Sequence, residues 1–316
     1  MCDVVGFGEN SVDLMAVVPT LPAPDGKAQV ETLRTQPGGQ VATAMVGCAR
    51  LGVRACYLGT FGNDPHGRLV QAAFAEAGVD TASARTVEAP NRTAIILVDA
   101  ARGSRMVLGH RDPALDWPPE ELPIAALHGA RVLLVDATDV PAATRVAAAA
   151  RELGLTTVAD VDGDVPGLDG LLRLTNVLVV SENLVPDMRR LHRQSGAVLV
   201  VATLGPDGAV AWDGEQEIHV PGFVVPVVDT TGAGDAFRAG LITAMLDRKL
   251  QAADCLEFAN AVAALNCRAL GAQAGLPTRA DVDTFVTSAD VVRSKGSWGR
   301  NRMESQPEGF TPGESA

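Results

Sequence analysis

A short glycine-rich segment in the last third of the chain has the residue types and spacing best suited to chemistry. Residues 229–237 are Asp-Thr-Thr-Gly-Ala-Gly-Asp-Ala-Phe, and apolar residues at helical spacing follow at positions 237, 241 and 245. Small residues at a helix start leave its first backbone N–H groups open to an anion, which the helix dipole also favours. The segment therefore predicts a phosphate-binding turn that opens a helix.

Asp235 follows this turn directly, where a site that only binds an anion would not place a negative charge. The residue suits a general base that takes a proton from an attacking hydroxyl group. Meanwhile the amides of Gly232, Ala233 and Gly234 would stabilise charge on a transferred phosphoryl group. The alternative is an aspartate that only caps the helix and complements its dipole.

Other motifs precede this segment in a fixed order. They are Pro-Gly-Gly-Gln-Val-Ala-Thr-Ala at 37–44 with Ala-Arg-Leu-Gly at 49–52, Gly-Thr-Phe-Gly-Asn-Asp-Pro-His-Gly at 59–67, and Thr-Leu-Gly-Pro-Asp-Gly-Ala at 203–209. Together with residues 229–237, they resemble the signatures of the ribokinase-like, or PfkB-type, carbohydrate kinases. The resemblance extends roughly over residues 3–286. It implies a ribokinase-like three-layer α/β sandwich, with a mostly parallel central sheet and a small β lid.

The composition is that of a globular enzyme. The 316 residues are 47% hydrophobic and 20% charged, which is enough for a large core. A net charge of −12 argues against a nucleic-acid partner, because such a partner requires a basic face. The sequence has no signal peptide and no apolar run near the roughly 18 residues of a membrane span, so we expect a cytoplasmic protein without a membrane partner.

The cysteines do not form a recognisable framework. Their number is odd, and they are scattered without Cys-x-x-Cys spacing at positions 2, 48, 56, 255 and 267. This pattern predicts buried free thiols rather than a disulfide framework or a structural zinc site.

Short apolar stretches alternate with alanine-rich stretches of helical length. The predicted strands cover residues 4–8, 55–59, 130–135, 156–161, 177–180 and 198–201, and the predicted helices cover 39–50, 67–77, 142–153 and 182–194. This alternation is typical of a mostly parallel sheet with helices on both faces. Residues 209–212 and 217–220 predict a hairpin that turns at Asp213-Gly214.

Two segments interrupt the alternation, and we interpret them as the lid. They are residues 12–35, which contain three prolines, and 92–108, which suggest two strands. In the family that the chain resembles, such a lid closes over the sugar and often pairs with the lid of another subunit, which implies a homodimer. We assign residues 1–287 to the kinase domain and 288–316 to a flexible C-terminal tail, because the tail has little apolar periodicity.

On the acceptor side, the resemblance implies substrate contacts from residues in several segments. These are Asp13, Gly38, Gly39, Gln40, Thr43, Arg105 and Asp136. Carboxylates at strand ends can accept hydrogen bonds from sugar hydroxyls, although Asp13 and Asp136 also fit ordinary loop or strand-end aspartates, and Arg105 a solvated arginine. Thr43 replaces the asparagine that is common in the family, and Gln40 replaces its frequent asparagine or lysine. The identity of the sugar therefore stays open.

Further basic residues lie in or beside the lid segments: Lys27, Arg34, Arg92 and Arg111. Together they could bind a second phosphate if the acceptor is a sugar phosphate. The alternative is that they are exposed basic residues without a ligand.

For ATP, the resemblance implies contacts from Thr203, Gly205, Gly208 and Asn260, and the chain has no P-loop motif. The family's Asn-x-x-Glu element, associated with magnesium, is replaced by Ser181-Glu182-Asn183. We therefore expect Glu182 to act on Mg²⁺ through water. Asp229 and Thr231, with carbonyl groups near 269–275, resemble a monovalent-cation site for an ion such as K⁺.

The sequence thus predicts an ATP- and Mg²⁺-dependent kinase that phosphorylates a primary hydroxyl of a sugar, with a ketohexose or pentose as the first expectation. Sugar phosphates and nucleosides are alternative acceptors. A non-catalytic sugar or nucleotide sensor on the same fold is an alternative of another class, since fold alone does not establish activity. A hydroxymethylpyrimidine-type or pyridoxal-type kinase is a further alternative, but the Gly38-Gly39 signature favours sugars.

Overall fold

A computed structural model describes residues 1–102, 104–163, 165–247, 251–288 and 291–294. In chain order, the strands are β1 Val4–Phe7, β2 Ser11–Val18, β3 Thr32–Gly38, β4 Ala55–Leu58, β5 Thr60–Gly62, β6 Arg85–Val87, β7 Thr93–Asp99, β8 Ser104–His110, β9 Val132–Asp136, β10 Thr156–Val161, β11 Val177–Ser181, β12 Leu199–Thr203, β13 Ala209–Trp212 and β14 Glu217–Val220. The α-helices are α1 Gln40–Arg50, α2 Pro65–Ala77, α3 Val140–Glu152, α4 Leu168–Leu172, α5 Met188–Gln194, α6 Ala233–Leu246, α7 Ala252–Asn266 and α8 Arg279–Thr287.

An eight-stranded sheet forms the centre, in the order β14-β13-β12-β11-β10-β9-β1-β4. The strands from β12 to β4 pair in parallel, and the hairpin β13–β14 extends one edge in antiparallel pairing. The predicted α/β class with a mostly parallel sheet is confirmed. Parallel strands end at the same edge, so the loops after β1, β9, β10 and β12 meet there.

Helices cover both faces of this sheet, because its strands are apolar on both sides. In β9, Leu134 packs into a core formed with α1, α2, α6 and α7, whereas Leu133 packs into a second core formed with α3, α4 and α5. The three layers predicted from the alternating pattern are therefore present.

The lid is a separate four-stranded sheet in the order β3-β2-β7-β8. Its strands cover the two segments that the sequence singled out and extend slightly beyond them, β3 to Gly38 and β8 to His110. The three prolines lie in the connection between β2 and β3, outside either strand. Met15, Ala94 and Ile96 form a small apolar cluster on the inner face of the lid, and Leu270 packs against it.

The predicted helix over 182–194 is divided in two. Residues Glu182–Asp187 form a 3-10 helix and α5 follows, because Pro186 lacks the N–H that a continuous α-helix would need. Most of the predicted tail lies outside the described residues. Within it, Val292 and Ser294 form backbone hydrogen bonds with Val224 and Gly222.

The expectation that all cysteines are free is wrong for one pair. Cys2 and Cys56 form a disulfide, with their Cα atoms 5.9 Å apart, because the parallel pairing of β1 with β4 brings these distant positions together. Cys48, Cys255 and Cys267 are free and buried, as predicted. Among the described residues, no helix combines the length and apolar character that crossing a bilayer requires.

Candidate active site

The glycine-rich turn begins helix α6 as the sequence predicts. Gly232 precedes the helix in the left-handed conformation, with φ of 73°. A Cβ at this position would lie 2.5 Å from the carbonyl oxygen of Ala272, so both backbone conformation and space require glycine. Ala233, the first residue of α6, donates its N–H to the carbonyl of Thr230 at 3.2 Å, so this amide of the predicted anion site is already engaged within the turn.

Asp229 holds the turn in place from within. Its Oδ1 accepts hydrogen bonds from the backbone N–H and the hydroxyl of Thr231, at 3.0 and 2.8 Å. Its Oδ2 accepts a 2.8 Å hydrogen bond from the N–H of Gly271, in the loop after α7. Because the carboxylate is buried, these bonds fix the turn relative to that loop.

Asp235 lies in the first turn of α6, beside Arg238 of the same helix. Nη1 of Arg238 is 3.1 Å from Oδ1 of Asp235. Burial raises the pKa of Asp235 well above its usual value; Arg238 opposes this shift, whereas the charges of Asp160, Asp162 and Glu9 reinforce it. The carboxyl group therefore binds a proton more readily than an ordinary aspartate, a property that suits the predicted general base.

The first predicted acceptor residues converge where β2 meets the start of α1. Asp13 is buried, accepts a 2.9 Å hydrogen bond from the Ser11 hydroxyl, and has its pKa raised by burial. Its carboxylate lies against Gly38, where an added Cβ would come within 2.2 Å of Oδ2. Gly39 packs equally closely on the backbone of Asn10. Glycine is therefore needed at position 38 for the chain to approach the carboxylate, and at position 39 for it to pass the backbone of Asn10.

Asp136 ends β9 and is fully buried beside the loop after β1. It accepts hydrogen bonds from the N–H of Glu9 at 2.7 Å and of Thr138 at 3.0 Å. Glu9 in turn forms a 2.7 Å ion pair with Arg92 of the lid. Burial outweighs that arginine and raises the pKa of Glu9 to about 8. Sequence reasoning missed Glu9, although its position just after a strand was an available signal.

The remaining predicted acceptor residues have different neighbours. Gln40 donates to Asp162, in the loop after β10. Thr43 is fully buried, and its hydroxyl accepts a 3.3 Å hydrogen bond from Gln273. Arg105 donates a 2.7 Å hydrogen bond to Thr230, so it contacts the phosphate-binding turn rather than the acidic residues.

Two of the basic residues considered for a second phosphate, Arg92 and Arg111, line a small cavity of about 30 Å³ beside Glu9. Arg92 is paired with Glu9, and Arg111 with Asp116. Lys27 and Arg34 are exposed in the lid. The structure does not bring these four residues into one cluster.

The predicted nucleotide residues lie together in a cleft of about 440 Å³ that is lined by Thr203, Gly205, Gly208 and Asn260. Thr230, Ala233 and Gly234 line the same cleft, so it reaches the phosphate-binding turn. The side-chain amide of Asn260 donates to the carbonyl of Val220 at 3.0 Å, which fixes its orientation at the cleft wall. The geometry suits a nucleotide whose phosphates point towards the start of α6.

The candidate metal ligands differ in solvent exposure and in their hydrogen-bond partners. Glu182 is exposed and follows Ser181, which pairs with the cleft residue Thr203 across β11 and β12. A carboxylate at this position fits a water-mediated contact with a magnesium ion held by phosphates. Both oxygens of Asp229 are occupied by hydrogen bonds, and the carbonyl of Thr231 accepts one from Asn266.

Comparison with known proteins gives a consistent result. The profile of the pfkB family carbohydrate kinases matches residues 1–279. The ATP-dependent ribose-1-phosphate kinase of Halopiger xanaduensis is 30% identical over 91% of this chain and 99% of its own. The fructokinase of Klebsiella pneumoniae is 30% identical over 87% of this chain and 96% of its own. The structure of Arabidopsis thaliana ribokinase complexed with ribose and ATP superposes with a TM-score of 0.79. The superposition covers 91% of this chain and 99% of the ribokinase chain, at 25% sequence identity.

Proposed function

Since this chain belongs to the pfkB family of carbohydrate kinases, which are ATP-dependent phosphotransferases, we propose that it phosphorylates a primary hydroxyl of a free sugar. Asp235 is the proposed general base, and the amides of Gly232, Ala233 and Gly234 form the proposed anion hole. One observation carries the proposal. Asp235 lies in the first turn of α6, whose start lines the nucleotide cleft, and its carboxylate is close enough to Asp160, Asp162 and Glu9 to be influenced by their charges.

In the proposed reaction, the acceptor oxygen bonds to the γ-phosphorus while its proton passes to Asp235. The bond between that phosphorus and the oxygen bridging to the β-phosphate breaks, and ADP leaves. The amides at the start of α6 stabilise the charge that develops on the transferred group. The lid excludes water, which would otherwise compete as an acceptor.

Mg²⁺ is the proposed metal, carried into the site with the phosphates of ATP and contacted by Glu182 through water. When bound, it neutralises charge on the phosphates. A monovalent cation such as K⁺ would use carbonyl groups near 269–275, beside Asp229, whose carboxylate is held in the turn by three hydrogen bonds. The turn therefore has a support that does not depend on this ion.

The charges favour a neutral acceptor. Asp13 and Asp136 can accept hydrogen bonds from hydroxyl groups, and two arginines of the candidate site, Arg92 and Arg238, are paired with carboxylates. A second phosphate would have to displace one of these pairs. A ketohexose or pentose is therefore the first expectation, in keeping with the fructokinase and ribokinase relatives.

A sugar phosphate is the second candidate acceptor. It is supported by the ribose-1-phosphate kinase relative. Nucleosides remain a third acceptor class within the family, as the aminoimidazole riboside kinase relative illustrates. The presence of both Asp235 and its glycine turn supports catalysis over a sensor role.

We also propose that the protein is a homodimer joined through the lid and that it acts in the cytoplasm, where ATP is available. The outer face of the lid has exposed apolar side chains at Leu33, Ile95, Met106 and Leu108. A contiguous apolar surface of this kind is typical of an interface between subunits.

The test is Mg²⁺- and ATP-dependent release of ADP across free sugars, sugar phosphates and nucleosides, using wild type, Asp235→Asn and Asp169→Asn. Asp169 lies in the first turn of α4 and is a control for the same substitution elsewhere. We expect one acceptor class to give turnover that falls about 10²- to 10⁴-fold in Asp235→Asn, with ATP affinity preserved. Near-wild-type turnover in that variant would exclude Asp235 as the base.

A further inference from the structure

Arg238 is a buried cation within the site that the reaction described above does not use. Its side chain is only 6% exposed and lies one turn after Asp235 on α6. Besides its contact with Asp235, its Nη2 donates to Oδ1 of Asp160, the penultimate residue of β10. The same nitrogen is 3.5 Å from Oδ1 of Asp162.

This arrangement places one guanidinium among three carboxylates. Burying ionised groups is costly unless they are paired, so the geometry of a shared cation decides which carboxylate is stabilised in its ionised form. Burial raises the pKa of Asp160 to about 7 and that of Asp235 well above its usual value, and Arg238 is the main opposing influence on both. Glu9, after β1, also acts on Asp235 and, when ionised, raises the pKa of Asp235 further.

Arg238 also contacts the anion hole. A Cβ on Gly234 would lie 2.8 Å from Nη1 of Arg238, so the guanidinium occupies the space beside that glycine. The same nitrogen bonds Oδ1 of Asp235, which leaves Oδ2 as the oxygen without this partner.

We propose that Arg238 is a positioning residue for Asp235. It fixes Oδ1 so that Oδ2 is directed to the acceptor hydroxyl, and Asp160 fixes Arg238 in turn. The inference rests on the proposed function, because it assigns Arg238 a role only through the base. A purely structural role would instead require Arg238 for folding, without influence on how activity depends on pH.

The experiment measures kcat against pH with saturating ATP and acceptor for wild type, Arg238→Lys, Arg238→Gln, Asp160→Asn and Asp235→Asn. In the plot of kcat against pH, the acidic limb is the rise in kcat as Asp235 loses its proton. In Arg238→Gln we expect this limb to move up by about one pH unit or more, because the carboxylate loses its cation. Turnover should recover partly at alkaline pH. Arg238→Lys keeps the charge and should keep the limb near that of wild type, at reduced kcat. Asp160→Asn should move the limb to lower pH, because Arg238 then pairs with Asp235 without Asp160 and the negative charge of Asp160 is removed.

Thermal unfolding and ATP binding are measured on every variant. A folded Arg238→Gln with the wild-type pH profile would overturn the inference. If that variant does not fold, Asp160→Asn decides, and an unshifted limb there would overturn it. The two proposals fail separately: an inactive Asp235→Asn with unshifted limbs in the other variants removes only the role of Arg238, whereas an active Asp235→Asn removes the base itself.

Discussion

Arg105 of the lid and Thr230 of the phosphate-binding turn are joined by a hydrogen bond of 2.7 Å, although 125 positions separate them in the chain. Arg105 lies on β8, and Thr230 lines the nucleotide cleft. The bond therefore connects the lid with the part of the cleft where we propose that the phosphates of ATP bind. A guanidinium held there has further N–H groups with which to bind phosphate oxygens.

We expect Arg105→Met to lower kcat/KM for ATP about tenfold, the effect of losing one charge-assisted hydrogen bond of about 1.4 kcal/mol. Steady-state kinetics at varied ATP measures the change. The melting temperature should not move, because the Arg105 side chain is exposed. Arg102→Met is the matched control, since Arg102 pairs with Asp99 beside the same hairpin turn. Equal losses in both variants would contradict a specific role for Arg105.

Glu9→Gln should change how stability depends on pH. The pKa of Glu9 is raised to about 8 by burial, so the folded state binds its proton more tightly than the unfolded state. That contribution is fully present below the unfolded pKa and is lost as pH rises through 8. Between pH 6 and 9, we expect the free energy of unfolding of wild type to fall by about 3 kcal/mol relative to the variant. Urea denaturation across this range measures it.

The control for this prediction is Glu88→Gln, which alters an exposed glutamate. Its unfolding free energy should follow that of wild type at every pH. A Glu9→Gln variant whose stability also runs parallel to wild type would mean that Arg92 keeps the carboxylate ionised in the folded protein.

The sequence predicted features whose residues are consecutive in the chain and missed those whose residues are far apart. The turn before Asp235 could be predicted because its parts are consecutive, and the central strands because each is apolar throughout. The roles of Glu9, Asp160 and Arg238 depend on which loops meet at one sheet edge, which strand order decides. The Cys2–Cys56 disulfide likewise depends on the pairing of β1 with β4. No local pattern specifies such contacts.

Asp229→Asn should destabilise the fold more than an ordinary loop substitution. The amide nitrogen cannot accept the hydrogen bond from Gly271 or from Thr231, so at least one buried donor loses its partner. We expect the free energy of unfolding to fall by about 1–3 kcal/mol and ATP affinity to weaken, because the turn loses its support. Denaturant unfolding and ATP titration measure the two effects.

Asp213→Asn provides the comparison for Asp229, since Asp213 also accepts two backbone hydrogen bonds, but in the hairpin between β13 and β14. Its loss of stability should be smaller and its ATP affinity unchanged. An Asp229→Asn variant with wild-type ATP affinity would show that the turn keeps its shape without the carboxylate.

Leu108→Asp should convert the protein from dimer to monomer if the outer face of the lid is the subunit interface. Leu108 is 52% exposed on β8, beside Ile95 on β7, and a charge placed in an apolar interface loses its hydration without gaining a partner. Sedimentation velocity over a range of concentrations measures the mass. Val198→Asp is the control, because Val198 is 66% exposed just before β12, in the central sheet rather than the lid. A wild type that sediments as a monomer at micromolar concentration, or a Leu108→Asp variant that stays dimeric, would contradict the lid interface.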